Sequence, residues 1–313
     1  MNVKITLVIP VYNTEKTLKR CIDSCINAFR DYWNQIEIII INDGSPGDTQ
    51  SIVDEYLSRY SNIRYFFQSN KGLSGARNKG VALSTGEYIW CIDSDDTITE
   101  ACAACILKSL GTKADVYSVN YSFVDESGNL IREVRQDTHI TTGKEVLKTY
   151  KQPLGVPFYI LKRDFLHRNN LTFYEGIYHE DNLFNFQMLF RAETFEPIDI
   201  VAYNYYQYNN GTITSTPSLK RSLDLILIAE ILYDFIMSNL EKRDAKQYSQ
   251  YLGLCLTSAC YNIKRIGYDD KKSFFVQMKS KSIFLINVFK IANFKYSIFI
   301  IYLLIQSLLY VKK

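Results

Sequence analysis

The sequence predicts an α/β fold, a mostly parallel sheet flanked by helices, followed by a helical C-terminal extension. Two patterns in the chain predict it. Strand-like, largely apolar runs recur at residues 5–11, 36–41, 63–67 and 88–92, and segments with helical spacing separate them. From residue 218 onward the pattern is helical to the end. Strands without polar alternation are buried on both faces, which is the habit of parallel sheets covered by helices.

Each element has its own signature. Residues 5–11 form a continuous apolar strand with Pro10 near its end. Leu18, Cys21, Ile22, Cys25, Ile26 and Phe29 then recur at helical spacing. Residues 36–41 are a second buried strand, and Ile52, Val53, Tyr56 and Leu57 mark a second helix. Residues 63–67 are a third strand, 74–83 a helix, 88–92 a fourth strand and 99–110 a helix. Residues 115–135 read as strand, turn, strand, with Glu126-Ser-Gly-Asn129 at the turn. A helix near 143–150, a Pro- and Gly-containing loop at 153–157, a short helix at 181–190 and an aromatic strand at 195–208 follow. The expected domains are 1–217, a helical extension at 218–270, and a basic, apolar tail at 271–313.

Composition fits a globular protein able to bury a core: 47% of its 313 residues are hydrophobic and 22% are charged, which excludes global disorder. The net charge of +3 is unevenly spread. Residues 271–313 hold lysines 271, 272, 279, 281, 290, 295, 312 and 313 and no Asp or Glu, so the rest of the chain is mildly acidic. Such asymmetry points to an anionic partner for the tail. The seven cysteines are odd in number, and the chain opens directly into a strand with no leader-like n-region. A reducing cytosol is therefore expected, with Cys102-Ala-Ala-Cys105 serving as packing residues on a helix.

Ligands of open α/β sheets bind beyond the carboxyl ends of the strands. Four polar clusters stand there: Tyr12-Asn13, Asn42-Asp43-Gly44-Ser45, the segment 68–77, and Asp93-Ser94-Asp95-Asp96. Left bare, three carboxylates within four residues repel one another, a penalty that a divalent cation removes. Two readings stand for them, a hard divalent cation shared with phosphate or the acidic N-cap of the following helix. Asp43 can accept from a base or ribose, or it can serve an ordinary Asp-Gly turn. Asn70-Lys-Gly-Leu-Ser-Gly-Ala-Arg-Asn-Lys-Gly80 is a glycine-rich loop that can approach a phosphate. It matches neither the P-loop nor the dinucleotide fingerprint.

In this order and spacing, Val8-Ile-Pro-Val-Tyr-Asn13, Asn42-Asp-Gly-Ser45, Asn70–Asn78 and Asp93-Ser-Asp-Asp96 resemble glycosyltransferase family 2. The resemblance is close over about residues 3–100 and looser to 217. It implies the Rossmann-like GT-A fold and an inverting transfer from a nucleotide-sugar donor, by prevalence a UDP-sugar, with Mn²⁺ or Mg²⁺ as cofactor. Tyr12, with the backbone of Pro10 to Asn13, would lie on the nucleobase, and Asp43 would bind the base edge. Arg77 and Asn78 would lie near the nucleotide. Asp93 or Ser94 would touch ribose or sugar, Asp95 would ligate the metal, and Asp96 would support it. His179-Glu180-Asp181 is similar to the family's Glu-Asp motif, so Asp181 would be the base with Glu180 beside it. An acid pair is also what a helix start favours. Gly211-Thr-Ile-Thr-Ser215 resembles a segment that closes over the donor phosphates, but here it lacks the usual basic neighbours.

The implied acceptor is a glycan or lipid-linked glycan in cell-surface polysaccharide synthesis. Residues 296–311 are a mostly apolar run about 24 Å long as a helix, short for a bilayer core of about 30 Å. An interfacial helix at 283–313 on an anionic membrane is expected. Packing on the protein or on a second copy in a homodimer is the alternative. The expected location is cytoplasmic, peripheral at the inner face of the membrane. Nucleic acid is not expected as a partner, because the tail is apolar between its lysines. A catalytically silent scaffold of the same fold is the rival functional reading.

Overall fold

A computed structural model describes residues 3–149, 155–208, 216–292 and 294–311. The expected donor-closing segment 211–215, the start of the loop at 153–157 and the terminal lysines 312 and 313 lie outside the described residues. The chain divides into two compact units, Met1–Gly176 with Phe184–Asn209, and Ile177–Leu183 with Asn210–Lys313. The expected extension (218–270) and tail (271–313) thus fall within one unit, which also takes in Glu180 and Asp181.

The first unit is built on one sheet. Strand β1 (Ile5–Val11) is followed by helix α1 (Glu15–Phe29), β2 (Ile36–Asn42), α2 (Thr49–Leu57), β3 (Ile63–Phe67), α3 (Gly72–Leu83) and β4 (Tyr88–Cys91). These strands are parallel in the order β3-β2-β1-β4. β2 is buried along its whole length and serves both faces. Ile38 and Ile40 join the core with Leu18, Ile22 and Phe29 of α1, whereas Ile39 and Ile41 meet Ala76 of α3. A strand covered on both sides needs side chains that pack on a pleat, and isoleucine provides them.

The second half of the sheet is mixed. Short β5 (Thr97–Ile98), α4 (Cys102–Ser109), β6 (Val116–Asp125), β7 (Leu130–Val134), α5 (Gly143–Thr149), β8 (Tyr159–Lys162), α6 (Arg163–Arg168), α7 (Glu180–Arg191) and β9 (Phe195–Gln207) follow. Beyond β4 the order continues β8-β6-β9-β5, with β7 on β6. β8 runs antiparallel to both neighbours, while β9 runs parallel to β6. The parallel character expected from the sequence therefore belongs to the first four strands. All seven cysteines are free, and Cys102 is buried on α4.

Register brings the polar ends of the parallel strands level. Pro10 pairs with Ile41, Val11 with Asn42, and Asn42 with Phe67. Residues 12–13, 43–45, 68–71 and 93–96 therefore leave one edge of the sheet. At the other end a buried carboxylate closes the structure. Glu37 accepts from Thr6 Oγ1 (2.6 Å), Thr85 N (2.5 Å) and Thr85 Oγ1 (2.9 Å). Arg64 pairs with it at 3.3 Å.

The second unit contains α8 (Leu219–Asn239), α9 (Lys242–Ala245), α10 (Ser249–Lys264), α11 (Tyr268–Ser280), α12 (Ser282–Ile291) and α13 (Phe294–Val311). The Ser218 side chain caps α8, accepting from Arg221 N. Asn262 of α10 donates to Ser218 O (2.9 Å) and Ser222 Oγ (2.8 Å), tying α10 to α8. Lys281 pairs with Glu230. Among the described residues no helix is long and apolar enough to cross a membrane.

Glycine allows α3 to lie close on β1. A Cβ at Gly80 would come within 2.2 Å of Val8 Cγ1. Overpacking of this kind costs about 1–3 kcal/mol, against a helix-propensity gain of about 1 kcal/mol for alanine. Gly80→Ala is expected to lower the urea midpoint with an unchanged slope. An unaltered or raised midpoint would show that α3 can shift without loss.

Candidate active site

The Asp93–Asp96 turn is held from three sides. Asp96 is buried, and its carboxylate accepts from Tyr203 OH (2.7 Å) and Tyr206 N (2.8 Å) on β9. The Tyr203 hydroxyl also accepts from Asp93 N (3.2 Å). From α1, Thr17 donates to Ser94 O (3.0 Å), and Thr14 shares a hydroxyl bond with Ser94 (2.7 Å). Arg20 Nη2 donates to Asp95 O (2.6 Å) and Tyr208 OH (2.8 Å), its guanidinium lying 3.5 Å from the Tyr206 ring centroid. Tyr208 OH also donates to Asp95 O (2.9 Å). The reading of these acids as the N-cap of the next helix fails. α4 starts only at Cys102, is preceded by Ala101 and has no side-chain cap.

The three carboxylates are thereby set apart. Asp93 Oδ1 accepts from Arg77 Nη2 at 2.8 Å, and Arg77 is almost wholly buried. Asp96 is taken up by β9, and burial pushes its carboxyl well up, with Asp95 and Asp93 adding to the shift. Asp95 is only partly buried, and no described side chain donates to its carboxylate. Burial, and then the Asp93 charge, push its carboxyl up to about 6, while Arg20 and Arg77 pull the other way.

The residues expected on the nucleotide side, from other strand ends, belong to the same unit. Tyr12 leaves β1 with its ring 47% exposed. Asn13 follows in the left-handed region at φ 55°, its N–H donating to Ser45 Oγ (3.2 Å). Pro10 is buried within β1. Asp43 is 2% exposed, and its Oδ1 accepts from Gln68 Nε2 (2.7 Å) and Lys71 N (2.9 Å). It therefore shapes the entry to α3, leaving Oδ2 without a described donor. Gly44 beside it has φ +73°, and a Cβ there would sit 3.0 Å from Asn70 N. Asn78 is engaged in structure: its amide donates to Phe173 O (2.9 Å) and accepts from Phe173 N (2.8 Å).

Glu180 and Asp181 belong to the second unit. They form the first turn of α7, where Asp181 Oδ1 accepts from Asn182 N (2.9 Å). His179 before them has φ 64°, and burial followed by Arg221 lowers its pKa. Arg221 lies over the Tyr178 ring (4.6 Å), and Tyr178 N donates to Asp224 Oδ2 (2.8 Å).

A divalent cation can be tested against these donors. Among the described residues no group of three or more His, Cys, Asp or Glu side chains could hold a metal. One carboxylate of the turn, Asp95, receives no hydrogen bond from a described side chain, and a nearby cation would favour its charged form against the burial that pushes its pKa up. That fits a hard cation taking most of its oxygens from diphosphate and water. It does not fit an all-protein cage.

Sequence reading missed Arg20, Tyr203, Tyr206 and Tyr208. The aromatic run at 203–208 was visible as a strand, but nothing in it told which hydroxyl meets which acid.

Asp95 gives a pH test in metal-free buffer. Its folded pKa of about 6 lies above the ordinary 3.8. As pH rises between these values the unfolded chain loses its proton first, so stability falls through that window and stays lower above it. Asp95→Asn should raise the melting temperature at neutral pH in EDTA and lose that advantage below pH 3.8. An equal effect at both ends would rule out ionisation as the cause.

The solved structure of Staphylococcus aureus TarS residues 1–349 in complex with UDP-GlcNAc matches with a TM-score of 0.77 at 19% identity, covering 98% of this chain and 89% of that one. Among curated relatives, the uncharacterized glycosyltransferase YibD of Escherichia coli is 29% identical over 222 residues, 66% of this chain and 62% of its own length. EpsJ of Bacillus subtilis, also an uncharacterized glycosyltransferase, is 29% identical over 226 residues, 68% of this chain and 63% of its own. The chain thus spans less than two thirds of these two relatives. Chondroitin synthase of Escherichia coli is 36% identical over 131 residues, 41% of this chain and 18% of its own length. The model of glycosyl transferase family 2 matches residues 6–171, more than half of the chain, and the chain belongs to that family.

Proposed function

We propose that the chain is an inverting glycosyltransferase. It moves a sugar from a nucleotide-sugar donor, a UDP-sugar, to a hydroxyl of a glycan or lipid-linked glycan in cell-surface polysaccharide synthesis. The observation that carries the reading is the single sheet edge where Tyr12, Asp43, the Arg77–Asp93 pair and Asp95 all emerge. The UDP-GlcNAc in the TarS complex and the polysaccharide in the name of chondroitin synthase support the choice of donor and product class. On this reading the chain works in the cytoplasm, peripheral to the inner face of the membrane.

Each residue then has a physical task. The exposed Tyr12 ring offers a face for a nucleobase, and Asp43 Oδ2 is the carboxylate oxygen open to a base N–H. The buried Arg77 orients Asp93 through their 2.8 Å pair, so that Asp93 and Ser94 can receive ribose or sugar hydroxyls. Arg20 and Tyr208 fix the backbone of Asp95 through its carbonyl. Mn²⁺ or Mg²⁺ bound at Asp95 would neutralise charge on the diphosphate leaving group. Asp181, with Glu180 beside it, takes the proton of the acceptor hydroxyl. The hydroxyl oxygen forms the new bond to the anomeric carbon while the bond from that carbon to the diphosphate oxygen breaks. Attack opposite the leaving group inverts the centre.

Two measurements test this. A melting-temperature screen of UDP-, GDP- and dTDP-sugars should show stabilisation by a UDP-sugar that needs Mn²⁺ or Mg²⁺ and is lost in Asp95→Ala. No stabilisation by any donor would sink the reading. Asp181→Asn should retain donor binding while transfer falls by roughly 10²–10⁴-fold, the usual contribution of a general base. Full transfer by that variant would move the base elsewhere. Equal inactivity of wild type and Asp95→Ala over a broad donor and acceptor panel would favour the silent scaffold.

A further inference from the structure

Helix α13 is two-faced. Tyr296, Ile300, Leu303 and Ser307 are buried, and a Cβ on Gly253 of α10 would run into the Tyr296 ring at 2.1 Å, so that contact is tight. On the other side Ile298, Ile301, Ile305, Leu308 and Leu309 are all exposed. At 100° per residue these five fall within an arc of about 100°, one unbroken aliphatic stripe. α12 repeats the pattern on a smaller scale, burying Leu285, Val288 and Ile291 while exposing Ile283, Ile286 and Phe289. A soluble surface scatters such residues singly, and a contiguous stripe marks a contact.

Charge selects the occupant. Lys290, at the end of α12, and Lys295, at the start of α13, are exposed, and residues 271–313 contain eight lysines with no Asp or Glu. In a two-fold contact with a second copy, the same patch meets itself. Lysine would then face lysine, with no carboxylate in the segment to offset it. Nucleic acid would want cations where the stripe presents isoleucine and leucine. An anionic bilayer surface satisfies both features at once, with acyl chains for the stripe and phosphates for the lysines.

We propose that the exposed face of α13 lies in the headgroup layer of an anionic membrane, with Lys290 and Lys295 on its phosphates. No described helix can span a bilayer, so the attachment is in-plane. It deepens the peripheral location in the proposed function, but it does not depend on the transfer chemistry.

Vesicle flotation of the full chain tests it. The protein should float with vesicles of phosphatidylcholine and phosphatidylglycerol, and far less with phosphatidylcholine alone. The double variant Ile301→Glu, Ile305→Glu should stay at the bottom while keeping the wild-type melting temperature, since both side chains are exposed. Ile131→Glu, at an exposed residue of β7, should float like wild type. Lys290→Ala with Lys295→Ala should weaken binding roughly thirtyfold, given about 1 kcal/mol per lysine at an anionic surface. Wild type that fails to float on the anionic vesicles overturns the proposal, as does a double variant that floats undiminished. Light scattering without lipid gives a third overturning result, a wild-type dimer that becomes monomeric in the double variant. Loss of donor-induced stabilisation with flotation intact would count against the transferase reading alone.

Discussion

The functional edge of the first unit depends on one buried acid. Asp96 is removed from water and its charge is disfavoured by two neighbouring carboxylates, so it stays in place because Tyr203 and Tyr206 meet it from β9. A buried polar group left without such partners costs about 1–3 kcal/mol. The same Tyr203 hydroxyl accepts from Asp93 N, so one side chain fixes both ends of the four-residue turn. Without that tie the turn after β4 would have no reason to hold Asp93 against Arg77 and Asp95 beyond them.

That constraint explains why sheet topology matters to chemistry here. β9 is remote in sequence from β4, and the antiparallel β8 and then β6 lie between them in the sheet. β9 nevertheless reaches the turn because it continues past β6 to pair with β5, which follows Asp96 directly. The mixed half of the sheet therefore serves as a buttress for the parallel half. Arg20 adds a second brace from α1, stacked on Tyr206 and bonded to the carbonyl of Asp95.

Much of this was legible in the sequence, for physical reasons that also mark where reading stopped. β1 and β2 are largely apolar runs of seven residues, and two-sided burial leaves little room for another pattern in them. The register of their ends follows from parallel pairing, so the clusters at Tyr12, Asp43 and Asp93 could be grouped in advance. β8 is four residues long and its direction depends on partners far away in the chain, so local pattern could not reveal it. The same holds for hydroxyl-to-acid pairings such as Tyr203 with Asp96, which span 107 residues. The family's Glu-Asp motif was visible as a helix start, but its grouping with the helices after residue 210 is a matter of contacts, which no motif encodes.

Seen through their partners, the acids of the first unit divide by work. Glu37 and Asp96 are saturated by protein donors and hold elements together. Asp43 gives one oxygen to the loop that opens α3, and Asp93 gives one to Arg77. Asp95 gives its carboxylate to no described side chain, although its backbone is doubly held. Spacing alone treats Asp93, Asp95 and Asp96 as equivalent, and hydrogen bonding separates them. On the proposed reading, a carboxylate held by its main chain, desolvated and bonded by no described side chain suits a cation that arrives with the donor, because no side-chain partner has to be displaced first.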